Sequence, residues 1–235
     1  MRGASAPHPP RSGGARTPQF LSSLADRARS GDVLVTRDPD PRDPARGTDQ
    51  ERRSAVLILV AGTEIDDARI VLEERGNALR SQPGQFSLPG GGRDAGDDDD
   101  VETALREAQE ETGLDPDGVR VLGAFAPIPM PWRGQRVTPV LAWTPVAPAL
   151  GVQDPIEVER VVWASLTGPG SLSDPAHRRR GLLSGVPVGP VFELPEDAFV
   201  WGFTAMILEN VLTGMGLEPV ARTAPTREIP AQRRR

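Results

Sequence analysis

Apolar residues run almost without interruption from Ser54 to Ala61, as expected for a buried strand, and Arg69 to Glu74 is expected as its partner across a polar turn at Thr63 to Asp67. Together they predict a hairpin leading towards the glycines at 90–92. Val101, Ala104, Leu105, Ala108 and Thr112 then recur at about 100° per residue, predicting an amphipathic helix from Val101 to Thr112 with Glu107, Glu110 and Glu111 on its opposite side. Asp97 to Asp100 place negative charge where the helix dipole favours it. Asp99 is the expected N-cap with Glu102 closing a capping box, Gly113 the expected left-handed terminator, and Pro116 prevents restart. Arg106 lies one turn from both Glu102 and Glu110, placed to hold carboxylates in a fixed orientation.

Elsewhere the pattern is weaker. Gln19 to Arg29 predicts a short helix with Phe20, Leu21 and Leu24 on its apolar side. Val119 to Phe125 and Gln135 to Trp143 read as strands separated by the Pro-rich loop Ala126 to Gly134, and Pro139 implies an edge position or a bulge. Ser171 to Val188 is expected as a mobile loop whose His177-Arg178-Arg179-Arg180 run is a candidate phosphate contact; Pro190 to Leu194 is expected as a short strand. Glu196 to Leu212 predicts a buried terminal helix packing Phe199, Trp201, Met206, Ile207 and Val211. The organisation expected is a disordered tail at 1–17, a short helix and linker at 18–53, one folded domain at 54–216 and a flexible Arg-rich tail at 217–235.

Carboxylates at i, i+3 and i+4 repel one another, so Glu107, Glu110 and Glu111 call for a cation among them. A hard divalent ion such as Mg²⁺ or Mn²⁺ suits oxygen ligands and bridges carboxylate to phosphate. The alternative is a solvated acidic face; the adjoining loop Gly90-Gly91-Gly92, where backbone can approach a ligand closely, favours the metal site.

Composition narrows the classes further. The 235 residues include no cysteine, no lysine and two histidines, His8 and His177, which excludes thiolate and lysine chemistry and argues against a histidine zinc site or a Ser-His-Asp triad. A net charge of -6 argues against general nucleic-acid binding and would repel a polyphosphate, leaving the attraction to bound metal and a few placed arginines. No apolar run spans a bilayer or forms a leader, so no membrane partner and a cytoplasmic location are expected.

Gly92, then Asp98, then Arg106-Glu107-Ala108-Gln109-Glu110-Glu111-Thr112-Gly113-Leu114 resembles the Nudix box of the Nudix hydrolase superfamily. Asp98 stands where that family has Glu, with Asp97 and Asp99 close enough to share its role. Upstream, Leu72-Glu73-Glu74-Arg75, Leu79-Arg80-Ser81, Gly84 and Pro89-Gly90-Gly91 are similar to the motif of coenzyme A pyrophosphatases within that superfamily, although Leu88 replaces its usual Phe and Gln82-Pro83 its common His-containing pair. The segment Trp201 to Leu208 is similar to the C-terminal helix of that group.

The resemblance implies an α/β fold, an α/β/α sandwich with a mixed β-sheet. It implies Glu107, Glu110 and Glu111, helped by the Gly91 carbonyl, as ligands of Mg²⁺ or Mn²⁺, and Arg106 as their anchor. Arg75 and Arg80, with Gly90 and Gly91, become candidate contacts for a CoA-like diphosphate, as against surface ion pairs. Ile128, Met130 and Trp132 either line an apolar wall for a pantetheine arm or pack in the core. Asp154 to Trp163 resembles the late strand of the family, where Glu157 or Glu159 is a candidate ligand or general base as against the solvent side of a strand. The implied activity is hydrolysis of CoA or acyl-CoA to 3′,5′-ADP and 4′-phosphopantetheine or its acyl form. The alternatives are a hydrolase of nucleoside triphosphates, oxidised nucleotides or ADP-ribose, and a nucleotide-binding module without catalysis. Homodimerisation stays open, dimers being common in the family.

Overall fold

The computed structural model describes residues 16–35, 52–77, 82–130 and 133–234. Its centre is β1 (Arg52–Ala61), which pairs in parallel with β7 (Gln135–Thr144) from Arg52↔Gln135 to Ala61↔Thr144. On its other side β1 carries β4 (Gly90–Gly92) along one half and β2 (Arg69–Arg75) along the other, both antiparallel. The expected hairpin is therefore confined to Val60↔Ile70 and Ala61↔Arg69. Most of β2 pairs instead with β8 (Val158–Ser165), while β3 (Phe86–Ser87) pairs with Glu73 and Glu74 at its end. The splaying of β1 from β2 opens the space occupied by the glycine strand. On the far side, β5 (Arg120–Ala124) and β6 (Ile128–Met130) pair in succession with β7.

Strand β1 alternates between two cores, which explains why it reads as apolar throughout. Ala55, Leu57 and Leu59 meet Ala104, Leu105 and Ala108 of α2 (Asp100–Thr112). Ile58 and Val60 face the cluster containing Leu21, Leu24, Ala25 and Ala28 of α1 (Gln19–Arg29) and Ala205, Ile207 and Leu208 of α3 (Gly202–Gly214). The result is an α/β/α sandwich on a mixed sheet.

Pro139 lies on an interior strand, contrary to the edge expectation. Its carbonyl accepts from Phe125 N–H at 2.9 Å, so its nitrogen faces the same side, in the interval between β5 and β6 where the ladder is interrupted. The missing donor is thus not needed there.

The largest departures come late in the chain. Ser171 to Val188, expected as a mobile loop, contains β9 (Arg178–Leu183) and the start of β10 (Val186–Leu194). Arg178 is buried: its Nη1 donates to the Glu218 carbonyl at 2.6 Å and its guanidinium lies 5.8 Å from the Phe192 ring centroid. Arg179 pairs with Glu193 at 3.2 Å, and Arg180 donates to the Arg222 carbonyl, so this basic run holds the second sheet together. Glu196 and Asp197 adopt left-handed backbone in a tight turn from β10 into β11 (Ala198–Val200), which delays the final helix to Gly202.

The segment expected to be a flexible tail forms β12 (Thr226–Glu228), parallel to β9, followed by a short turn of 3₁₀ helix at Ala231–Arg233. Ile229 is fully buried against Val191 and Phe199. Ile229→Ala should therefore lower the free energy of urea unfolding by about 2–4 kcal/mol, the range for truncating a buried aliphatic side chain, whereas a loose tail would show no change.

Candidate functional site

Helix α2 begins as the sequence predicts: Asp99 accepts from the N–H groups of Val101 and Glu102 at 2.9 Å each. Glu102 reaches back one residue further than a capping box requires, accepting from Asp98 N–H at 2.6 Å. Gly113, at φ 72°, ends the helix with its N–H on the Gln109 carbonyl. Between these ends the helix presents its acids to the glycine strand β4.

Arg106 organises that junction. Its Nε and Nη2 grip both oxygens of Asp97, at 3.0 and 3.1 Å, its Nη1 donates to Glu110 at 2.9 Å, and Nη2 also reaches the Gly92 carbonyl at 2.9 Å and Glu107 at 3.0 Å. Glu102, one turn away, is occupied by Asp98 N–H instead. The Arg106 guanidinium holds the Asp97 carboxyl well below the usual carboxylate range, and Thr103 and Asp94 N–H add hydrogen bonds at 2.9 Å. Asp97, not Asp98, is thus the paired carboxylate; Asp98 is exposed.

Gly91 has no room for a side chain, because a Cβ there would lie 2.5 Å from the Glu107 carboxylate. Gly90 N–H donates to Glu111 Oε2 at 2.8 Å. The two glycines chosen as ligand contacts therefore also seat two of the glutamates.

Glu111 does not lie on a solvated face. It is 5% exposed and meets Glu73, 1% exposed, from β2. The two carboxyl groups are within hydrogen-bonding reach, and burial followed by their mutual repulsion raises Glu111; burial raises Glu73. Ser87 donates to Glu73 Oε1 at 3.0 Å, while Glu73 Oε2 is buried without a partner among the described residues. Burial also raises Glu107, opposed by Arg106 and reinforced by Glu110 and Glu157. That last influence places Glu157, in the turn before β8, close enough to the acidic helix to act on it, whereas Glu159 accepts from Asn77 at 3.4 Å.

Glu73 was missed in the sequence because it sits in a strand motif. The signal was its position two residues after Val71, on the same face of β2 as a residue that packs with α2.

These residues fit a hard cation chemically: acceptor-only oxygens crowd one place, and a buried one lacks a partner. Among the described residues no three carboxylates or imidazoles already surround one point. Arg106 currently holds Glu107 and Glu110.

Beside the glycine strand lies a cavity of about 480 Å³. Arg52, Arg53, Arg75, Arg93 and Arg133 line it, together with Met130, Trp201, Phe203 and Ile207. Arg75 Nε is buried without a partner among the described residues, and burial, then Arg75 and Arg52, push Arg133 below its ordinary value. Of the predicted residues, the structure brings Arg75, Gly90 and Gly91 to this wall. Arg80 and Trp132 lie outside the described residues. Met130 joins the cavity, whereas Ile128 belongs to the core. The other four arginines carry no local pattern in the sequence because they come from β1, the 90–99 loop and the turn before β7, brought together only by the sheet.

Asp97→Asn should lower stability at pH 7 by about 2 kcal/mol, because it leaves Arg106 half-paired, and Asp98→Asn by less than about 0.5 kcal/mol. Asp97 is depressed in the folded state, so its contribution is fully present above its unfolded value of about 4 and is lost as pH falls below it. Chemical denaturation of both variants and the wild type at pH 7 and at about pH 2.5 checks both the order and the sign.

Comparison with known proteins agrees with this arrangement. Residues 51–182 match the NUDIX domain family. The chain is 33% identical over 175 residues to an uncharacterised Nudix hydrolase, NudL, of Photorhabdus laumondii, an alignment covering 73% of this chain and 89% of that protein. It is 31% identical over 201 residues to the Klebsiella pneumoniae NudL, also uncharacterised, covering 83% of this chain and 100% of the other. With Nudix hydrolase 15, mitochondrial, of Arabidopsis thaliana it shares 40% identity over 93 residues, covering 40% of this chain and 30% of that protein. No helix among the described residues is long and apolar enough to cross a membrane. A domain match over more than half of the chain, resting on the box whose geometry is described above, shows that the chain belongs to the Nudix hydrolase family.

Proposed function

We propose that the protein hydrolyses the diphosphate of coenzyme A or an acyl-CoA, giving 3′,5′-ADP and 4′-phosphopantetheine or its acyl form. The observation that carries this reading is the mixed lining of the cavity beside the glycine strand: five arginines together with Met130, Trp201, Phe203 and Ile207. Arg53 and Arg93 both meet Asp100, at 3.0 and 3.3 Å, but five guanidinium groups on one wall still leave an excess of positive charge that calls for an anion, and an acidic chain of net charge -6 has little other attraction for a polyphosphate. The apolar group suits a pantetheine arm better than a second nucleoside would require.

Glu107, Glu110 and Glu111, with the Gly91 carbonyl, would hold Mg²⁺ or Mn²⁺. Such an ion lowers the pKa of a bound water and neutralises charge on phosphate. Arg106 and Asp97 fix the orientation of the glutamates before substrate arrives. Arg75 and Arg133 position the phosphates through charge-assisted hydrogen bonds. Glu157 would take a proton from the attacking water, a role supported by its electrostatic influence on Glu107.

The deciding experiment incubates the purified protein with Mg²⁺ or Mn²⁺ and CoA, acyl-CoA, NADH, ADP-ribose or 8-oxo-dGTP, and identifies products by mass. Release of 3′,5′-ADP in preference to other products is expected; preferential cleavage of another substrate would overturn the CoA assignment while leaving the metal helix. Glu110→Gln should lower kcat by about 10²–10³-fold with the fold retained by circular dichroism, the loss of a few kcal/mol of transition-state stabilisation. Arg133→Ala should instead raise KM for CoA about 10- to 100-fold, as for one lost charge-assisted contact, with kcat changed much less.

A further inference from the structure

Glu73 lies outside the box that supplies the expected metal ligands, on the strand facing it. Its side chain is 1% exposed, one oxygen is satisfied by Ser87 at 3.0 Å, and the other, Oε2, has no hydrogen-bond partner among the described residues. The carboxylate of Glu111 is within hydrogen-bonding reach, with Gly90 N–H on its own Oε2 at 2.8 Å. Glu107 is near enough to act electrostatically on both.

Two buried carboxyl groups face each other here, acceptor-only whenever both are ionised, each held in place by a donor from the glycine segment or β3. A buried carboxylate oxygen without a donor is costly, and removing a like-charged neighbour is usually the easier solution. Retaining both makes sense where a cation joins them. Arg75, the nearest guanidinium on the same strand, acts on Glu73 only through space, and Arg106 is already shared among Asp97, Glu107, Glu110 and the Gly92 carbonyl.

We propose that Glu73 is itself a ligand of the divalent ion, bridging it to Glu111 from the opposite wall of the site. The centre is then built from two elements, α2 and β2, and the ion clamps the helix to the strand. This inference rests on the metal-dependent reading of the acidic helix and not on the identity of the substrate.

The test is titration of Mn²⁺ into the full-length, metal-depleted protein by calorimetry, beside thermal unfolding with and without Mn²⁺. Wild type, Glu73→Gln and Glu73→Asp are compared at a temperature where circular dichroism shows all three folded. Glu73→Gln should bind Mn²⁺ about tenfold or more weakly and lose most of the Mn²⁺-induced rise in Tm. Its Tm without metal should equal or exceed that of the wild type, because the buried repulsion is gone. Glu73→Asp, which keeps the charge but withdraws it by one methylene, should be intermediate in affinity. Wild-type affinity in Glu73→Gln would overturn the proposal and leave the pair as two carboxyls sharing a proton, with the Nudix-box metal site intact. Absence of Mn²⁺ binding by the wild type would overturn both.

Discussion

The two-pronged contact between Arg106 and Asp97 is the constraint on which the acidic site depends. A planar guanidinium with five donors can satisfy several carboxylates at fixed angles, which an ammonium cannot. Here it joins the end of the glycine strand, the loop before α2 and two glutamates of the helix into one rigid unit. Asp97 also takes Thr103 and Asp94, so the loop from Gly92 to Asp99 is folded around a single carboxylate. Without this pairing Glu107 and Glu110 would lose the cation that offsets their mutual repulsion, while Glu111 is seated separately by Gly90 N–H.

Much of this was legible because the determinants are local. The cap at Asp99, the left-handed Gly113 and the apolar stripe of α2 act within a few residues of one another, and so do those of α1. Which aspartate meets Arg106 was not legible, because spacing along an irregular loop does not fix where each side chain points; Asp98 has the expected spacing, but Asp97 is the one turned inward. Pro139 misled for a related reason. A proline rules out a donor on only one side of a strand, and that side here meets the gap between β5 and β6.

The second sheet was the least legible part. Its strands are short and rich in arginine, glycine and proline, residues that weigh against strand formation when scored by type. Their stability comes from distant partners: Phe192 beneath Arg178, Glu193 between Arg179 and Arg227, and Ile229 arriving from the end of the chain. None of these pairs is close enough in sequence to produce a pattern. The terminal helix was similarly blurred, being apolar on most of its circumference, so that only the turn at Glu196 and Asp197 determines where it starts.

That sheet also divides the labour of the site. The acidic face is made by α2, β2 and β4, elements inside the matched domain. The cavity wall is different: Trp201 and Phe203 follow β11, whose place is set by pairing with β10. Gln82 and Gln85 of the same wall belong to the segment on which Arg233 docks, donating to the Gly84 carbonyl and lying 3.4 Å from Glu74, while Gln85 donates to the Arg233 carbonyl at 3.0 Å. The end of the chain thus braces the part of the pocket nearest the arginines. Changes in the late strands can therefore reshape what the cavity accepts, while Arg93, which lines the cavity and donates to the Asp97 carbonyl at 3.1 Å and the Asp98 carbonyl at 2.6 Å, ties the wall beside the glycine strand to the Arg106 unit.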